Sequence, residues 1–234
     1  MAQTTIGGGA NLQAAGTLSL AGTARKTQAA DVISGGGGAG SFRSGEANTR
    51  ARSLAGVVLL DSTTANKTTA LSARLTIDSA LDVFHTAKVN NVNASLVGYS
   101  GGRTGNDTAG TSQIIIGNNA QLASGYGYIK AQNNVEQASV GNNVTSHSGG
   151  AFDGAAAGAT TTIVNTTNIT VKDGAVIEQF GSASYPGALD LGIENKIYSR
   201  LATTLDSGGA IAIAEVEKSG GALPLPPLPP AGRN

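Results

Sequence analysis

The chain has no cysteine, no tryptophan, one methionine and only 4% aromatic residues among its 234 positions. Without cysteine it can build neither a disulfide framework nor a thiolate metal or redox centre. With so few large side chains, a conventional globular core is also excluded. Charged residues are scarce at 13%, and a globular domain usually carries about twice that share. The 15 basic residues balance the 15 acidic ones, so no long-range field gathers nucleic acid or an anionic membrane. No run approaches the ~20 apolar residues of a membrane helix. The opening Met1-Ala2-Gln3-Thr4 lacks the basic and apolar segments of an export signal. These absences predict no nucleic-acid partner and no membrane span. An extracellular setting would make this chain part of a longer exported protein.

What remains is 34 glycines, abundant Thr, Ser and Asn, and short alternating runs of Ala, Val, Ile and Leu. Those are the residues of narrow strands and tight turns. The heptapeptide Ile6-Gly7-Gly8-Gly9-Ala10-Asn11-Leu12 returns 110 residues later as Ile116-Gly117-Asn118-Asn119-Ala120-Gln121-Leu122. It returns again after a further 55 as Val171-Lys172-Asp173-Gly174-Ala175-Val176-Ile177. A unit of about 55 residues predicts a stacked repeat architecture. Residues 54 to 78 hold the weakest copy, since the heptapeptide is not legible there.

Three segment types alternate along the unit. Strands such as Thr4-Thr5-Ile6, Ile114-Ile115-Ile116 and Asn168-Ile169-Thr170-Val171 end in Gly, Asn or Asp corners, which tolerate positive φ. A second set of alternating strands follows, Gly16 to Leu20, Ser79 to Val83, Gly127 to Lys130 and Gly187 to Leu191. The third set comprises Gly/Ala-rich excursions at 33–41, 99–110, 148–159 and 206–214. The predicted fold is all-β, a right-handed parallel β-helix (β-solenoid) spanning residues 1–218, with those excursions and a Pro-rich tail or linker at 219–234. At roughly 20 residues per coil the chain would supply about ten coils, a rod on the order of 50 Å. Leu223-Pro224-Leu225-Pro226-Pro227 in the tail reads as polyproline II or disorder.

Thr4 to Leu20, Thr111 to Ile129 and Thr160 to Ile177, with the alternating strand Gly209-Ala210-Ile211-Ala212-Ile213-Ala214, resemble the repeats of large secreted bacterial adhesins of the filamentous haemagglutinin-like and leukotoxin-like group. The resemblance implies a cell-surface or secreted fibre whose partners are neighbouring repeats of the same polypeptide and host or matrix glycans.

Candidate chemistry is thin. His85, after Asp82-Val83-Phe84, reads as an outward surface residue, and His147 reads as a loop residue. Asp82 and Asp190 occupy like positions in Ala80-Leu81-Asp82-Val83 and Ala188-Leu189-Asp190-Leu191 and could stack on one face. With Lys130 between them they would suit sugar acid/base chemistry, since lyases and glycosidases also use parallel β-helices. The asparagines 118, 119, 133, 134, 142 and 143 suggest stacked amide ladders near corners. Gly35 to Gly40 lacks the aspartates of a calcium nonapeptide and the Lys-Ser/Thr of a phosphate loop. The reading is a structural, adhesive module with no catalytic, cofactor or metal residues. Its alternatives are a carbohydrate-binding or carbohydrate-degrading β-helix and, from Thr160-Thr161-Thr162, an ice-binding solenoid.

Overall fold

The computed structural model describes residues 1–137, 143–181 and 184–208, and the backbone of 211–222. Among the described residues it is all-β, without a helix. The strands are β1 (Ala2–Ile6), β2 (Asn11–Leu59), β3 (Thr69–Ile116), β4 (Gln121–Gln137), β5 (Val144–Gly149), β6 (Phe152–Val171), β7 (Val176–Gln179), β8 (Ala188–Ser199), β9 (Thr203–Gly208) and β10 (Ile211–Ala222). All belong to one curled sheet, and every described pairing is parallel.

Neighbouring strands come from chain positions one long course apart. The offset between partners runs from 52 residues (Thr69 beside Gln121) to 62 (Tyr126 beside Ala188). This agrees with the 55-residue unit and corrects the estimate of ten 20-residue coils. The strand-and-turn segments of each unit are successive parts of one course that bends without reversing hydrogen-bond direction. The stack is four strands deep along Ile6, Leu59, Ile116 and Val171. Its depth is about 15 Å between outer strands, not 50 Å.

That column vertically aligns the start of each heptapeptide. At the corner, Gly9 (φ 80°), Asn119 (φ 57°) and Gly174 (φ 67°) are left-handed at equivalent places. Each turn is closed by an i+3 backbone bond, Ala10 N–H to Gly7, Ala120 N–H to Gly117 and Ala175 N–H to Lys172. Only Gly, and Asn at lower cost than most residues, accept that conformation, which is why the motif recurs. The weak copy has a physical explanation. The next column, Leu12, Ala70, Leu122 and Ile177, follows the first by six residues in three courses and by eleven in the second. The corner at 60–68 is longer, so the motif is split rather than lost.

The Gly/Ala-rich segments are not excursions. Gly40, Val97, Phe152 and Ile211 begin a register of four aligned stretches inside the sheet. They follow the tip of each course, where the chain bends back so that its returning limb faces its outgoing limb. In the second course Ser79 and Ser112 hydroxyls meet at 2.8 Å, and Thr108 Oγ1 lies 3.4 Å from His85 Nδ1. Nearer the tip, Asn91 Nδ2 donates to the Gly101 carbonyl and Asn93 Nδ2 to that of Tyr99 at 3.3 Å. The interior is thus narrow and graded. At the corner end Leu75, Ile77, Ile114, Ile116, Leu122 and Ile129 form an apolar cluster. Toward the tip the returning limb turns inward Ser100, Gly102, Thr104, Asn106, Thr108 and Gly110, all buried or nearly so. None of the nine aromatic residues is buried.

Away from the corner end, Val89, Val144 and Leu81 stand opposite glycine. A Cβ at Gly102 would lie 2.6 Å from Val144 Cγ1 and 3.1 Å from Val89 Cγ1, and one at Gly110 would lie 2.9 Å from Leu81 Cδ2. Replacing Gly102 by Val is expected to cost about 1–3 kcal/mol through overpacking. Chemical denaturation checks this; a variant as stable as the parent would show that the limbs do not face each other there.

Candidate functional site

His85 is not on the surface. Period-two alternation from Leu75 through Ile77, Leu81 and Val83 turns position 85 inward, and its side chain is fully buried. Thr49 and Thr108 hydroxyls lie 3.5 and 3.4 Å from Nδ1, and Nε2 has no hydrogen-bond partner among the described residues. Burial holds this imidazole below its usual pKa. His147 faces outward, within strand β5 and not in a loop, with Nδ1 3.5 Å from Asp206 Oδ2.

Asp82 and Asp190 are both exposed but do not stack. Asp82 stands in the column Arg25, Asp82, Asn134, Lys196, whereas Asp190 pairs with Tyr128, whose other neighbour is Thr76. The two columns are six residues apart, about 20 Å along the strand. The likeness of the two tetrapeptides misleads because β4 meets β8 at a 62-residue offset while β3 meets β4 at 52. Lys130 is committed elsewhere. Its Nζ is 2.9 Å from Glu194 Oε2, and Lys196 Nζ is 2.8 Å from Glu194 Oε1. These two hydrogen bonds, Lys196 first, bring the Glu194 pKa to about 2. Asp78, beside Lys130 in the sheet, has its pKa raised by burial against the opposing pull of that lysine. The network is a charge ladder across strands, and Asp82, Glu194 and Lys196 line a shallow depression of about 220 Å³ that neither Asp190 nor Lys130 lines.

The predicted amide ladders are replaced by amide-to-backbone bonds. Asn133 Nδ2 donates across the interior to Gly110 at 3.1 Å, and Asn143 Nδ2 to Ala87 at 3.2 Å. Asn119 Nδ2 donates to the Ser62 carbonyl at 2.8 Å, and Asn134 Nδ2 lies 3.4 Å from Asp82. Asn142 lies outside the described residues. At the long corner Lys172 Nζ and the Asn118 amide both bond Asp61, at 2.9 and 3.0 Å, and lower its pKa.

A depression of about 520 Å³ lies on the outer face of the returning limbs just past the tip. Its floor consists of small residues aligned across courses, Ser44, Gly101 and Ala156 in one column, with Gly158 in the next beside Glu46 and Arg103. Tyr99 forms a wall, its ring leaning over Gly101 so that a Cβ there would be 3.0 Å from Cε1. Phe42, the cross-strand neighbour of Tyr99, is 72% exposed. The sequence gives Tyr99, Arg103 and Glu46 no common motif. Only the 57-residue register of β2 on β3 brings Glu46 beside Arg103. Among the described residues no group of three or more His, Asp or Glu is placed to hold a metal ion.

No family model, curated protein or solved structure matches the chain. What it does must be argued from this geometry.

Burial of neutral His85 sets a pH dependence. The unfolded chain binds a proton near pH 6.5, while the folded chain resists it until lower pH. Stability is therefore fully present above that pH and falls as pH drops toward the depressed folded value. Thermal melts at pH 7 and pH 5 are expected to show this loss, and His85→Gln is expected to reduce it. An unchanged slope in the variant would contradict the assignment.

Proposed function

We propose that the chain is a structural and adhesive segment of a secreted or cell-surface bacterial fibre, wound as a right-handed parallel β-helix like the filamentous haemagglutinin-like repeats. The observation that carries this reading is the division of labour between faces. Every phenylalanine and tyrosine stays out of the core, while the interior is occupied by aliphatic ladders and polar residues that are mostly small. A scaffold that spends its few aromatics on the surface is suited to presenting them, because such side chains anchor recognition of other molecules. The trough beside Tyr99 is the favoured contact surface. It offers an aromatic face, a carboxylate and a guanidinium over a floor of Gly, Ala and Ser, which matches the mixed apolar and hydroxyl character of a glycan.

A carbohydrate-binding β-helix shares that surface and is the second reading. Carbohydrate cleavage has less support, since Asp82 and Asp190 stand in separate columns. An ice-binding face has less still. Outward Thr160 and Thr162 lie beside Gly105 and Asp107, and those beside Asn48 and Arg50, so they do not form threonine rows on successive courses.

Depolymerisation assays with acidic and neutral polysaccharides are expected to show no turnover, either for the chain or for Asp82→Ala and Asp190→Ala. Binding to immobilised glycans is expected to weaken roughly tenfold in Tyr99→Ala, the loss of about 1.4 kcal/mol of ring contact, with an unchanged circular dichroism spectrum. Turnover abolished by either aspartate change would contradict the structural reading, and undiminished binding by Tyr99→Ala would remove the trough as the contact surface.

A further inference from the structure

Among the described residues, both ends of the stack are open. Residues 11–54 of β2 pair with β3 on one side only, and β7 through β10 pair only with the courses beneath them. Each end therefore carries a long row of unpaired backbone donors and acceptors, the situation that promotes edge-to-edge association.

The geometry points to a second copy of this chain as the occupant, joined head to tail. The register decides it. Extending the observed columns by one strand sets residues 2–6 of the next copy beside 167–171, 11–14 beside 176–179 and 17–28 beside 188–199. It also sets 32–37 beside 203–208 and 40–51 beside 211–222. The end of β10 at Ala222, beside Ile163, leaves only residues 164–166 without a neighbour before β1 of the next copy begins. The paired stretches of the two edges match in length, and they differ between β7 and β8, where eight residues stand opposite residues 15 and 16 of the next copy.

Side chains agree with the backbone. Leu189, Leu191 and Ile193 occupy inward-facing columns yet are 39%, 55% and 57% exposed. In the extended register Leu18 and Leu20 of the next copy continue the ladders of Leu189 and Leu191. Charge also favours the pairing. Residues 11–54 carry five basic and two acidic side chains, and the described residues of 176–208 carry two basic and four acidic ones. Two like-charged neighbour pairs oppose it, Arg25 beside Lys196, flanked diagonally by Glu194, and Glu46 beside Glu217. A contact between two different surfaces does not close on itself, so it propagates into a filament.

This inference rests on the fibre reading, and the absence of native cysteine gives a clean test. In Thr23→Cys/Glu194→Cys the two thiols are three strand spacings apart within one chain, about 14 Å, beyond disulfide reach. Between copies they become direct neighbours. Oxidation of the purified chain is expected to yield a ladder of covalent dimers, trimers and longer species on non-reducing gels, with concentration-dependent sedimentation before oxidation. Thr23→Cys/Asp190→Cys, displaced by four residues, is expected to yield little. No ladder, or equal ladders from both variants, overturns the junction. Asp82→Cys/Asn134→Cys, neighbours within one chain, separates the two claims. If this pair closes an intrachain disulfide while the junction pair does not react, the stacked-course reading stands and the head-to-tail contact falls. If it does not close, both fall.

Discussion

Parallel backbone pairing between residues about 55 positions apart governs this molecule. Each such bond requires the chain to travel one full course before it meets its partner, so little order can be gained from neighbours in sequence. The cost in chain entropy is offset only when many residues pair at once and the inward positions bury apolar surface together. A single course cannot do so, and burial shows it. The inward residues of β3 and β4, with neighbours on both sides, are almost all buried, whereas those of β8 in the last course are largely exposed.

The fold of each course back on itself sets the second constraint. Two facing limbs leave a slot whose width is set by pairs of opposed side chains, leucine or isoleucine at the corner end and serine, glycine or asparagine toward the tip. No phenylalanine or tyrosine ring is buried in this slot, which does hold the smaller imidazole of His85. The slot also brings polar atoms together across a dry interior, where an unpaired group is costly. That explains why Asn91, Asn93 and Asn133 donate to backbone carbonyls of the facing limb, and why the Ser79 and Ser112 hydroxyls, and those of Ser100 and Ser146, pair across the interior. His85 Nε2 and the Ser72 and Thr104 hydroxyls have no hydrogen-bond partner among the described residues.

Much of this was legible in the sequence, and the failures are instructive. The heptapeptide corners gave the repeat length correctly, because a left-handed residue is chemically recognisable as Gly or Asn. The number of courses is not legible, since bends within a continuous strand resemble turns between strands when they are rich in Gly and Ser. The Gly/Ala segments resemble excursions for the same reason; their small side chains reflect close approach of the opposite limb, not departure from the sheet. His85 needed the parity of Leu81 and Val83 carried two residues further. The Asp82 and Asp190 comparison failed because the offset between adjacent strands varies from 52 to 62 residues, and sequence likeness cannot reveal where the extra residues lie. The trough at Tyr99 was invisible for a related reason. Its residues meet only through the register.

The most direct test of the stacked course is a distance between points remote in sequence. Spin labels at Arg25→Cys and Lys196→Cys, on the outward column Arg25, Asp82, Asn134, Lys196, should lie about 15 Å apart, three strand spacings. The measurement is made by dipolar electron paramagnetic resonance in chains diluted with unlabelled protein. A narrow distribution near that value, broadened by the label tethers, is the predicted result. A separation of roughly 40 Å or more, as many short stacked coils would give, contradicts the account.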